Sequence, residues 1–114
     1  MFLSDKKKYE LREWGRYEVQ VRVKITIPNE GNAIWYGQTL DISKGGLRIF
    51  VPRELEKDAI VIMEFSLPYS WKNIEIRGVV RNRNSFTYGV EFVEPTSHQQ
   101  QIIFRVCKTL ELLQ

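Results

Sequence analysis

At 114 residues, with 43% hydrophobic and 27% charged side chains, the chain has the size and composition of one globular domain with one ordinary core. Its net charge of +3 suits an anionic ligand but is too small to argue for duplex nucleic acid. One cysteine, Cys107, and one histidine, His98, rule out an internal disulfide, a zinc ligand set and a Cys/His nucleophile pair.

The opening Met1 to Lys8 is polar and lysine-rich, and residues 1–8 read as a flexible basic arm before a folded domain over 9–114. No apolar run has signal-peptide or membrane-spanning length, so a cytoplasmic protein without membrane insertion is expected. Arg12-Glu13-Trp14-Gly15-Arg16 follows, with a glycine that opposes a stable helix. Next comes the cleanest alternation in the chain. Tyr17, Val19, Val21, Val23, Ile25 and Ile27 are separated by Glu18, Gln20, Arg22, Lys24 and Thr26, which predicts one long half-buried strand. Pro28 to Asn32 is a turn. Further strands are expected over Ile34–Ser43, Gly46–Val51, Ile60–Leu67, Ile74–Arg83 and Thr87–Val93. Pro95-Thr96-Ser97 ends the pattern. Ser97 with Gln100 fits a capping box, and Ile102, Ile103, Val106, Leu110 and Leu113 recur at helical spacing. The implied class is all-β: a six-stranded antiparallel β-barrel with a C-terminal α-helix over its end or side.

Chemistry concentrates at Leu40-Asp41-Ile42-Ser43-Lys44-Gly45-Gly46-Leu47. If Leu40 and Ile42 point inward, Asp41 and Ser43 point outward together, and the glycine pair is free to take positive φ in a turn. An ordinary turn is the plainer reading of that stretch taken alone. Arg12 and Arg16, four apart, carry planar forks that match phosphate oxygens and the O6/N7 edge of guanine. Asp41 can accept from guanine N–H groups. Ser43 and the amides near Gly45 and Gly46 can donate to phosphate. These residues suit a guanine nucleotide if the 12–16 loop lies over the 41–46 turn; otherwise the arginines are solvated charges. No Walker A loop, no GxGxxG and no paired carboxylates are present, so an enzyme is not expected. A single-stranded nucleic-acid face using Trp35, Tyr36, Arg22 and Lys24 is a weaker alternative, because aromatics on alternating strands more commonly fill the core.

The two motifs together, Arg12-x-x-x-Arg16 and Asp41-x-Ser43-x-x-Gly46, resemble those of the PilZ family. The resemblance extends to Gly78-Val79-Val80-Arg81, to Tyr88-Gly89-Val90-Glu91-Phe92 and to the closing helix, about residues 9–113. It implies a barrel that binds the bacterial second messenger cyclic di-GMP. Arg12 and Arg16 would grip phosphate and guanine, and Asp41, Ser43 and Gly46 would complete the site, with a further contact near Arg81. Leu11 stands where many members carry another arginine, which implies one cyclic di-GMP per domain rather than an intercalated pair. It further implies a monomer or weak dimer that signals through an unidentified effector protein, with no cofactor, no metal and no DNA. A PilZ-type interaction module without nucleotide binding is the alternative, and the retained motif positions count against it.

Overall fold

The computed structural model describes residues 15–68 and 73–114. Among the described residues seven strands appear in chain order: β1 (Tyr17–Glu18), β2 (Arg22–Ile27), β3 (Ala33–Ser43), β4 (Gly46–Phe50), β5 (Ile60–Ser66), β6 (Asn73–Asn84) and β7 (Thr87–Phe92). The helix α1 (Ser97–Leu113) follows β7. Every pairing is antiparallel. The strands run β3-β2-β5-β6-β7-β4, and β3–β4 pairing closes six of them into a barrel. Closure removes the long open edges that six amphipathic strands would otherwise expose. The short β1 is an addition, laid along the far end of β3.

Alternation explains the core. Val23, Ile25 and Ile27 from β2, Val61, Met63 and Phe65 from β5, and Leu47 and Ile49 from β4 are all buried. Each such side chain contributes about 1.5–3 kcal/mol of transfer free energy. Tyr88 on β7 is buried completely. Its hydroxyl donates to Arg53 O at 2.7 Å and accepts from Leu55 N–H at 2.9 Å, which ties the β4–β5 connection to the wall. Helix α1 packs on the side that carries β1 and β3, burying Ile103, Val106, Cys107 and Leu110.

The long strand expected over Tyr17–Ile27 is broken. Tyr17 pairs with Ile42 and Glu18 with Asp41, but Arg22 pairs with Gln38, so Val19, Gln20 and Val21 stand opposite only Thr39 and Leu40. A buried hydroxyl holds that extra residue. Thr39 Oγ1 accepts from Val21 N–H at 2.9 Å and donates to Val19 O. Helix capping is also displaced by one residue from the Ser97/Gln100 expectation: Thr96 caps, accepting from Gln99 N–H, while the Gln99 side chain accepts from Thr96 N–H. Gln99 Nε2 also donates to Glu75 O at 2.6 Å, so the cap that reaches the barrel is the one that forms. Leu113, expected in the apolar stripe, is 61% exposed, because the last turn meets β1 through the polar Glu111 and Gln114.

Candidate functional site

Strict alternation would put Leu40 inside with Ile42; the strand places Thr39 there instead. Thr39 pairs with Ile49 and Asp41 with Arg48, leaving Leu40 as an extra, half-buried residue. That bulge changes the phase of β3. Thr39 faces inward before it and Ile42 after it, both fully buried, so Asp41 and Ser43 share the outer face. Asp41 was expected to be exposed there, and it is not: its residue exposure is 5%. Two guanidiniums cover it. Arg48 Nε donates to Asp41 Oδ2 at 2.7 Å, and Arg16 Nε lies 3.8 Å from Oδ1. Arg16 and Arg48 remain open to solvent, with 39% and 48% of their side-chain surface exposed.

The β3–β4 hairpin closes with a two-residue Lys44–Gly45 turn, Ser43 paired to Gly46. The glycine pair is free to take positive φ, but among the described glycines only Gly31 has it. Gly46 is needed for a different reason. A Cβ there would meet Val90 O at 2.2 Å, so only a bare backbone lets β4 pair with β7 at this point. Ser43 Oγ accepts from Gly45 N–H at 3.3 Å and donates to Gly46 O at 3.4 Å. Both bonds are long, so the hydroxyl is held weakly and is available to a better partner. Gly89, beside Arg48 on β7, is covered by the Asn82 side chain, whose Oδ1 would lie 2.2 Å from a Cβ.

Helix α1 reaches this end of the barrel. Lys44 Nζ sits 4.0 Å from the centre of the Phe104 ring. Tyr17 OH donates to Glu111 at 3.0 Å, and Gln114 bonds both the N–H and the C=O of Glu18. The strand that delivers Arg16 is therefore clamped between β3 and the helix end.

Of the residues expected at the site, Arg16, Asp41, Ser43 and Gly46 come together on one outer surface. Arg12, Leu11 and Trp14 lie outside the described residues. Arg81 is on the same face but turned to other partners. It donates to Glu91 at 2.7 Å and to Asp58 at 3.3 Å, and Glu91 is the cross-strand partner of Gly46. Arg48 was missed by sequence reasoning. Counting outward from a two-residue Lys44–Gly45 turn pairs position 41 with 48 up to the bulge, and that count was the available signal. Trp35 and Tyr36, expected in the core, are 38% and 49% exposed, with Arg53 and Arg22 over their rings at 5.3 Å and 4.3 Å.

The model of the PilZ domain matches residues 10–108. The chain belongs to the PilZ family. Solved structures share its fold. The PilZ domain of CeSA from a cellulose-synthesizing bacterium superposes with a TM-score of 0.66 at 18% identity, covering 84% of this chain and 97% of that one. The Bacillus subtilis inhibitor of motility, MotI/DgrA, superposes at 0.73 and 19% identity, covering 88% of this chain and 51% of the other. The PilZ domain of YcgR from Escherichia coli, solved with c-di-GMP, gives 0.68 at 12% identity, covering 86% and 89%. This PilZ chain thus spans nearly all of the solved CeSA and YcgR domains and about half of the MotI chain. A search of curated protein sequences finds no match. Among the described residues no group of three His, Cys, Asp or Glu is arranged to hold a metal ion, and no helix is long and apolar enough to cross a membrane.

Proposed function

We propose that this PilZ domain is a cyclic di-GMP receptor that acts as an adaptor for a partner protein. The observation that carries this is the meeting of the two motifs: β1 brings the Arg16 guanidinium to 3.8 Å from the Asp41 carboxylate. Arg16 and Arg12 bind phosphate and the guanine O6/N7 edge by bidentate hydrogen bonds. Asp41 accepts from the guanine N1–H and N2–H groups. Ser43 exchanges its weak turn bonds for a phosphate oxygen, and Gly46 leaves the floor bare for the ring to approach. Arg81 stands at the far side of that floor and reaches the ligand by leaving Glu91. The YcgR domain, solved with c-di-GMP on the same fold, supports this reading.

Signalling follows from connectivity. The loop carrying Arg12 and Arg16 leads straight into β1, and β1 is bonded to Glu111 and Gln114 at the helix end. Closure of that loop around one ligand remodels the surface beside α1, where a partner reads it. The test is calorimetric titration of the full chain with cyclic di-GMP, with GMP and cyclic di-AMP as controls. One equivalent of cyclic di-GMP bound in preference to both controls is expected. Two equivalents would overturn the single-ligand reading. No binding would overturn the receptor reading in favour of an interaction module.

A further inference from the structure

Removing a carboxylate from water requires a partner for its charge. Asp41 retains 8% of its side-chain surface, and two arginines answer it differently. Arg48 is placed by strand register, directly across the β3–β4 ladder, and makes a hydrogen bond of 2.7 Å to Oδ2. Arg16 comes from the loop end of β1 and stays at 3.8 Å from Oδ1, beyond hydrogen-bond length.

Resting on the receptor reading above, we propose that Arg48 is a positioning residue of the nucleotide site: by satisfying Asp41 it keeps Arg16 free for the ligand's phosphate. A carboxylate turns about its terminal bond unless one oxygen is fixed. The bond to Oδ2 fixes it and leaves Oδ1 facing the space that Arg16 borders. Without Arg48, Arg16 is the remaining cation of the two, and it closes onto the carboxylate. The two motif residues then satisfy each other. Arg16 is lost to phosphate, Asp41 is lost to guanine, and the ligand must break a charge-assisted hydrogen bond that the parent protein never makes.

The experiment compares Arg48→Met and Arg48→Lys with the parent full chain, with circular dichroism confirming the fold. Arg48→Met weakens cyclic di-GMP binding about tenfold, the size of one charge-assisted hydrogen bond, and Arg48→Lys recovers part of the loss. Because the competing Arg16–Asp41 pair closes on a buried carboxylate, where screening is weak, the loss persists between about 50 mM and about 500 mM salt, whereas a mere surface charge is screened. In ligand-free protein, the arginine Nε–H resonance of Arg16 shifts downfield and gains protection from exchange in Arg48→Met. Equal affinity of Arg48→Met and parent, a loss that disappears at high salt, or an unmoved Arg16 resonance each overturns the proposal. A parent that does not bind cyclic di-GMP overturns the receptor reading instead, and the Arg16 resonance still decides the role of Arg48.

Discussion

Thr39→Val isolates the device that holds the site together. The side chains have nearly the same shape, and Thr39 is fully buried, so the change leaves no cavity. It removes one hydroxyl that accepts from Val21 N–H at 2.9 Å and donates to Val19 O. Both backbone groups lie in the bulge between β1 and β2, where the ladder offers them no alternative. An unsatisfied buried group costs about 1–3 kcal/mol, so two lost partners amount to about 2–6 kcal/mol. Burying valine in place of threonine offsets part of this, as does water reaching the half-buried Val21, which leaves about 2–4 kcal/mol. For a domain of this size that lowers Tm by about 8–16 °C. Thr39→Ser keeps the hydroxyl and loses a methyl, at about 1 kcal/mol. Urea unfolding followed by circular dichroism, with equal m values, measures all three proteins. Since β1 carries Arg16 to Asp41, cyclic di-GMP affinity falls in Thr39→Val more than in Thr39→Ser. A Thr39→Val protein as stable as the parent, or no less stable than Thr39→Ser, refutes the bulge as the anchor of β1.

Other expected outcomes concern the site and the helix. Arg16→Ala abolishes or strongly weakens cyclic di-GMP binding with an unchanged circular dichroism spectrum, and calorimetry of both proteins checks it. Asp41→Ala lowers affinity about 10- to 100-fold through lost guanine contacts, and titration curves matching the parent's count against that role. On the proposed assignment of Arg12 and Arg16 to the two phosphates, affinity declines steadily as salt rises, and a flat series excludes a charge-driven site. Burial pushes the Cys107 thiol from 9.0 up to about 11, against a smaller opposing pull from Lys44. The folded state therefore holds this proton more tightly than the unfolded state. Its contribution to stability is intact below pH 9.0 and is lost as pH rises towards about 11. Comparing unfolding free energies of the parent and Cys107→Ala across that window detects the difference in slope.

Much of this was legible from local pattern. Alternation at Val23-Ile25-Ile27 and Val61-Met63-Phe65 marked the barrel walls, and helical spacing at Ile103, Val106 and Leu110 marked the helix. The spacing of Arg16, Asp41, Ser43 and Gly46 marked the surface where those four residues meet. The failures cluster where two distant segments share a hydrogen bond. Thr39 reads as an outward polar residue until Val19 and Val21 are placed beside it, and it then becomes core. Trp35 and Tyr36 read as core by their chemistry, yet they sit at the end of β3 beyond the reach of β4, which pairs only as far as Gln38.

The sequence by itself determined the class of fold, the order of strands along the chain and the residue types able to meet a guanine nucleotide, because periodicity and short motifs are local properties. Only the tertiary structure decided which way Asp41 faces, that it is buried, and that Arg48 answers it. A single extra residue at Leu40 reverses the face of everything after it, and the groups bonded beside it, on Val19 and Val21, come from a segment between β1 and β2 some twenty positions earlier.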